Sequence, residues 1–217
     1  MGKRKLPPNA SVANKGDGAK LLAPAASRNA KAISDLAVRI APRHGQALEL
    51  ASGTGQHITA FAQRLQGVFW QPTEIAAERR ASIDAYAENL PNVAPALHLD
   101  ATIPGWHKSF SDQHLIVLIN LLHLIDAAQT KTLIAEATLA LRPSGRLLLY
   151  GPFLRAGELT SEGDRRFHTA LTEQDPTIGY KDDSFIRALL ESCGLVLVET
   201  VEMPANNLAF VAEKPGT

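Results

Sequence analysis

The sequence predicts an α/β protein, a doubly wound sandwich of three layers, on three observations. An apolar segment, Ala47-Leu48-Glu49-Leu50, runs into a glycine loop, Ala51-Ser52-Gly53-Thr54-Gly55. A continuous apolar run at 115–119, LIVLI, suits a strand buried on both faces, as in a parallel sheet. Strand and helix patterns alternate along the chain and end in two consecutive strands.

From Ser27 onward, Ile33, Leu36, Ala37 and Ile40 recur at helical spacing, and Pro42 with Gly45 ends that helix before the first strand. The glycine loop leads into a helix at about 56–66, a short strand Val68-Phe69-Trp70 ending near Glu74, and an alanine-rich charged helix at 76–88. Pro91-Asn92 starts a turn, 93–99 reads as the third strand with Asp100 at its end, and 114–120 as the fourth. A helix at 127–141, stopped by Arg142-Pro143-Ser144-Gly145, leads to a strand at 146–150. A helix at 183–191 passes through Cys193-Gly194 into strands at 195–201 and 208–211, which read as an antiparallel pair. The segment 151–181 breaks the rhythm, punctuated by Pro152, Phe153, Gly157, Phe167, Pro176, Gly179 and Tyr180. Such an insertion is either a substrate lid or a loop packed over the sheet edge.

The 217 residues, 45% apolar and 20% charged, fit a single domain able to bury a sizeable core. Residues 1–20 carry Lys3, Arg4, Lys5, Lys15 and Lys20 against Asp17, with few large apolar side chains, and read as a mobile basic tail before a domain at 21–217. Pro7, Pro8 and Asn9 interrupt any secretory apolar region, so the sequon Asn9-Ala10-Ser11 reads as accidental. The chain holds 22 basic and 22 acidic side chains, so no global field draws in nucleic acid or an anionic membrane. With the lone Cys193 and no apolar segment of the roughly 20 residues that span a bilayer, the reading is a cytoplasmic protein without a membrane partner. The seven histidines lack ligand spacing, which predicts no metal site, and Gly-x-Ser-x-Gly is absent, which argues against that hydrolase chemistry.

In an open parallel sheet, ligands bind outside the carboxyl ends of the strands. Gly53 and Gly55 let the backbone turn sharply there and approach a ligand, while the next helix offers its free N–H groups. A dinucleotide fingerprint needs Gly or Ala three residues after the second glycine, and Ile58 stands there; a phosphate loop needs Gly-Lys-Ser/Thr, which is missing. Glu74, at the expected end of strand two, can accept from both hydroxyls of a ribose, and Asp100, at the next strand end, can accept from an exocyclic amine. Both carboxylates can instead cap the turns that follow them. Glu49 sits within an apolar strand, where an ionised carboxylate needs donors or a cation; a ligand ammonium is one candidate, a capping or arginine-paired role the other.

The run Glu49-Leu50-Ala51-Ser52-Gly53-Thr54-Gly55 with Glu74 and Asp100 resembles the class I S-adenosylmethionine-dependent methyltransferases. Taken with Ser27-Arg28-Asn29, Gln56-His57, Trp70-Gln71-Pro72, Tyr150-Gly151-Pro152-Phe153 and Met203-Pro204-Ala205-Asn206-Asn207, it is similar to the domain-of-unknown-function 938 family, also called methyltransferase-like 26, over residues 22–214. The resemblance implies a mostly parallel seven-stranded sheet with the last strand antiparallel, a Rossmann-like methyltransferase fold, and S-adenosylmethionine as cofactor. The positions it puts at the cofactor are Arg28, Asn29, Glu49, Ala51, Gly53, Gly55, His57, Glu74, Asp100, Ala101 and Asn120. Ala51 stands where common methyltransferases carry the first glycine of the loop, and Glu74 where their acid is usually Asp.

Methyl transfer from a sulfonium is an in-line displacement in which a protein mostly aligns the reactants and excludes water, so a catalytic base is optional. His123, just after strand four, can take a proton from an acceptor or simply be a packed histidine; Asn120 can orient the acceptor or cap the turn. His57 either meets the cofactor's carboxylate end or faces solvent, and Arg28 can pair with that carboxylate. Tyr150, Phe153 and Asn206-Asn207 stand where an acceptor pocket is expected, although Asn-Asn is also ordinary turn chemistry. The expected function is methyl transfer from S-adenosylmethionine to a small-molecule acceptor. The alternative is a non-catalytic module that binds S-adenosylmethionine or S-adenosylhomocysteine and acts through protein contacts, motivated by the absence of an acceptor motif such as Asn-Pro-Pro-Tyr after strand four.

Overall fold

The computed structural model describes Pro7 and residues 10–216. The bases Lys3, Arg4 and Lys5 and the asparagine of the sequon lie outside the described residues. Nearest the start, β1 (Asn14–Lys15) pairs antiparallel with β2 (Leu21–Leu22), so the boundary expected after residue 20 falls inside a hairpin.

The helix α1 (Pro24–Ile40) opens on a proline, whose fixed φ suits the first turn, and buries Ile33, Leu36, Ala37 and Ile40 as the spacing predicts. There follow β3 (Gly45–Leu50), α2 (Gln56–Arg64), β4 (Val68–Pro72), α3 (Ala77–Ala87), β5 (Gln113–Ile119), α4 (Ala127–Ala140) and β6 (Leu141–Leu154). The chain finishes with α5 (Glu162–Gln174), β7 (Lys181–Asp182), α6 (Asp183–Ser192), β8 (Val196–Met203) and β9 (Asn207–Glu213). Six of the strands lie in the order β4-β3-β5-β6-β9-β8, with β7 paired to β6 as the seventh. The pairs β3/β4, β3/β5, β5/β6 and β6/β7 are parallel, and β9 is antiparallel to both β6 and β8.

Alternation along the strands divides the core in two. Leu48, Leu50, Ile116, Leu118, Leu147 and Leu149 meet α4 and α6 on one face. Ala47, Leu115, Val117, Leu148 and Tyr150 meet α1, α2 and α3 on the other. Because β4 and β5 flank β3 on opposite sides, the strand order reverses at β3, and the crevice for a ligand opens at the carboxyl ends of β3 and β5.

Three expectations are corrected. The third strand, 93–99, is reduced to isolated bridges, Trp70 with Val93 and Thr73 with Leu97. Trp70 N donates to Asn92 O and Ala94 N to Trp70 O, but Pro72 has no N–H to give Ala94 and Ala96 N turns to Asp84 Oδ1 instead, so the pairing resumes only where Leu97 N donates to Pro72 O. The seventh strand of the sheet is β7 instead. The turn expected at 142–145 does not precede β6 but loops out of it: Leu141 pairs with Gln113 and Arg146 with Leu115. Finally, the insertion 151–181 is not a loop. β6 continues through Leu154, and α5 follows with Ser161 accepting from Asp164 N at 3.1 Å as its cap. Only Leu171 is buried on α5, which left no apolar periodicity to read.

Candidate functional site

The glycine loop is built by backbone strain and local hydrogen bonds. Ala51, Gly53 and Gly55 have φ of 51°, 62° and 93°, in the left-handed region. Ser52 N donates to Thr73 O at 2.8 Å, while Ser52 Oγ and Thr73 Oγ1 both donate to Glu49 O, at 3.2 and 2.9 Å. These bonds lock the end of β3 to the end of β4. A methyl at Gly55 would lie 2.8 Å from Ile83 Cα, a backbone atom of α3. Gly55→Ala therefore combines a steric clash with a left-handed backbone, and it is expected to cost about 2–4 kcal/mol in urea unfolding; a change below 0.5 kcal/mol would contradict this packing.

Glu74 is buried and doubly engaged: Oε2 accepts from Gly53 N and Oε1 from Ala76 N, each at 3.1 Å. It holds the glycine loop with one oxygen and starts the turn into α3 with the other, so the capping alternative is realised without excluding a ligand on the remaining lone pairs. Beside it lies Glu49, only 1% exposed, whose Oε2 has no hydrogen-bond partner. Burial pushes this carboxyl up to about 8, with the Ser52 hydroxyl working against it and the Glu74 charge adding to it. Near neutral pH Glu49 is therefore mainly protonated. Among the described residues no arginine pairs with it.

Asp100 uses one oxygen, Oδ1, to accept from Thr102 N at 2.9 Å and Thr102 Oγ1 at 2.6 Å. The next residue, Ala101, is buried and accepts from Trp106 Nε1 at 3.1 Å. Two apolar side chains that the sequence reading passed over stand exposed after these acids, Ile75 at 57% and Ile103 at 56%. Their only sequence signal is an aliphatic residue within three positions of a strand-end carboxylate.

His57 and Asn29 meet each other, His57 Nε2 lying 2.8 Å from Asn29 Oδ1. The amide oxygen can only accept, so Nε2 carries the proton. Burial lowers the His57 imidazole to about 4, which keeps it neutral. His57 thus does not face solvent. The Tyr150 hydroxyl is buried without a hydrogen bond; burial pushes this phenol up, with the neighbouring Asn29 amide acting the other way. Arg28 is exposed on α1. Gln56, which sequence reasoning did not single out, ties α1 to the loop: Oε1 accepts from Ala23 N at 2.6 Å and Thr54 Oγ1 at 2.9 Å, and Nε2 donates to Ser27 Oγ at 2.8 Å.

Asn120 ends β5 with φ 56°, its N–H donating to Tyr150 O at 2.9 Å. His123 packs against the insertion, its carbonyl accepting from Gly179 N at 3.0 Å. It is 4% exposed, its ring lies edge-on to Phe167 and Tyr180, and Nδ1 has no partner. Burial, reinforced by Lys181, drops this imidazole to about 3, which makes it a weak base near neutral pH. Phe153 is buried in the core, its ring 5.0 Å from that of Phe210. Asn206 is in a left-handed turn, and its Nδ2 also donates to Asp164 Oδ2 at 3.1 Å, joining the β8–β9 hairpin to α5.

Among the described residues no group of three or more His, Cys, Asp or Glu is arranged to hold a metal ion, and no helix is long and apolar enough to cross a membrane. The family model described as a protein of unknown function (DUF938) matches residues 20–214. The chain is similar to an O-methyltransferase family protein from Burkholderia thailandensis, with a TM-score of 0.76 at 15% identity over 88% of this chain and 57% of that one. An O-methyltransferase family 2 protein from Planctomyces limnophilus, in complex with apigenin, gives 0.72 at 21% identity over 88% and 58%. The calicheamicin-biosynthesis methyltransferase CalO1, in its SAH-bound form, gives 0.68 at 14% over 89% and 54%. The chain spans a little over half the length of these structures, and the likeness is one of fold, the Rossmann-like fold of methyltransferases.

Proposed function

The chain belongs to the DUF938 family, and on that premise we propose that it is an S-adenosylmethionine-dependent methyltransferase acting on a small-molecule acceptor. The observation that carries the reading is the pair of buried acids at the glycine loop, above all the orphaned Glu49 Oε2. A buried carboxyl without a partner is costly in either protonation state, and a ligand ammonium would supply both charge and donors. The fold and the SAH-bound form of CalO1 support the same cofactor.

Glu74 would receive the ribose hydroxyls and Asp100 the adenine amine, directly or through a neighbouring backbone group. Ile75 and Ile103 offer apolar surface to the base. Gly53 and Gly55 let the backbone approach, Ala51 lines the turn, and Ala101 closes the floor beside Asp100. Arg28, exposed at α1, is the cation available to the carboxylate, while Asn29 keeps its amide N–H groups for the ligand once His57 has taken its oxygen. When bound, S-adenosylmethionine supplies a methyl group activated by its sulfonium. Asn120 orients the acceptor at the end of β5, and the insertion keeps water out. His123, with its low proton affinity, contributes packing rather than proton transfer.

The test is isothermal titration with S-adenosylmethionine and S-adenosylhomocysteine, with a reduced nicotinamide as control. Micromolar binding of both sulfur ligands is expected; no binding at millimolar concentration, or preference for the nicotinamide, sinks the reading. The enclosed, weakly basic His123 also favours a second reading, a module that binds the cofactor without turning it over. Incubation with labelled methyl donor and a metabolite extract separates the two, since any protein-dependent labelled product contradicts the module.

A further inference from the structure

Residues 10–22 connect the two banks of the crevice. Ala10 packs against the small core of the insertion, formed by Leu171, Ile178 and Tyr180 with Phe167. The very next residue, Ser11, is bound from the opposite bank: Arg79 of α3 donates from Nη2 to Ser11 O at 3.1 Å and to Ser11 Oγ at 2.6 Å. The insertion leaves from β6 and α3 follows β4, so a segment gripped by both must cross the carboxyl ends of β3 and β5, between them in the sheet. The hairpin β1–β2 then returns the chain to the same place. There Leu21 N donates to Ser82 Oγ at 2.8 Å, and that hydroxyl donates to Thr54 O of the glycine loop, also at 2.8 Å. Lys20 lies over the Tyr86 ring at 5.2 Å, a further hold on α3.

The two ends of this segment differ in strength. Leu21 and Ser82 are buried, so the bonds at the glycine loop are shielded from water. The bonds to Ser11 are exposed, so water competes for them and they hold less firmly than the buried pair. A segment fixed at one end and weakly held at the other is built to open and close.

We propose that residues 10–22 form a strap hinged on the Leu21–Ser82–Thr54 contacts and latched by Arg79, which gates entry to and release from the crevice at β3 and β5. The latch closes the mouth over a bound small molecule and limits its exchange. The proposal rests on the cofactor reading for its ligand, and one arm of the test does not use that ligand.

The experiment compares the full chain with Arg79→Ala. In stopped-flow exchange, S-adenosylhomocysteine is expected to leave Arg79→Ala at least about fivefold faster, the scale of one lost net hydrogen bond. Joining Ser11→Cys to Arg79→Cys with a reductant-cleavable bismaleimide, in a Cys193→Ala background, is expected to slow release at least tenfold until the linker is cut. The ligand-free arm follows N-ethylmaleimide modification of Asn120→Cys in the same Cys193→Ala background. There Arg79→Ala is expected to speed labelling by a similar factor. Equal labelling rates with and without Arg79 overturn the strap whatever the ligand does. Equal release rates in binding-competent proteins overturn it too. Failure of both proteins to bind S-adenosylhomocysteine counts against the cofactor reading, and the labelling rates then decide the strap alone.

Discussion

Glu74→Ala is expected to lower affinity for S-adenosylmethionine by about two orders of magnitude, the largest effect of any single substitution at the crevice. Charge-assisted hydrogen bonds are worth about 1.5–3 kcal/mol each, and a carboxylate holding two ribose hydroxyls would lose both. The same change frees Gly53 N and Ala76 N, so the loop relaxes as well. Glu74→Gln separates the contributions: its amide oxygen can keep one backbone N–H, while the charge and one acceptor are gone. Titration calorimetry and urea unfolding on both variants read affinity and stability side by side. Undiminished binding in Glu74→Ala would remove Glu74 from the ligand site.

Glu49 makes the second large effect, and it is one of pH. Its carboxyl stands at about 8 in the folded protein against an ordinary 4.5. The folded state therefore holds the proton more tightly than the unfolded one, and the contribution to stability is fully present below 4.5, declining as pH rises through 8. The slope is about 1.4 kcal/mol per pH unit within that window. The buried histidines run the other way: His57, lowered to about 4, and His123, lowered to about 3, destabilise only at acid pH and are neutral above the ordinary 6.5. Between pH 7 and 8, then, urea unfolding of the free protein should show a loss of about 1 kcal/mol that is absent in Glu49→Gln. Affinity for a cationic ligand has the opposite sign. It should rise up to tenfold per pH unit until Glu49 is ionised and then level off, with nearly one proton released per ligand at pH 7 in calorimetry across buffers. A flat profile in the natural protein would show that Glu49 does not meet the ligand's charge.

The features legible in the sequence were those fixed by neighbours in the chain. LIVLI declares a strand buried on both sides, and Gly53 and Gly55 declare a turn that other residues adopt only under strain. The acids at strand ends follow from the same logic, because a strand's end is a local property. What failed depends on distant partners. Residues 93–99 look like a strand until their partner β4 reaches Pro72, which has no N–H to return, and Ala96 N turns to Asp84. The core packing of Phe153 was hidden because Phe210, whose ring it meets, comes from β9, far along the chain. The surroundings of His123 were hidden likewise, because its neighbours in sequence say nothing of Phe167 and Tyr180, which reach it from the insertion. Helix α5 carries too little apolar surface to be seen without its cap.

The placement of β9 bears on how the polypeptide comes to be folded during synthesis. It leaves the ribosome after every other strand of this sheet, yet it lies inside the sheet, between β6 and β8. The parallel half, β4-β3-β5-β6, can assemble while the rest is still being made, but β8 has no partner until β9 arrives. Until then β6 presents an unpaired edge, with Leu147 and Leu149 on one face and Leu148 and Tyr150 on the other. Nascent chains stalled short of Asn207 are thus the species most in need of a chaperone, and the sheet is completed in one step, by the insertion of the seven residues of β9.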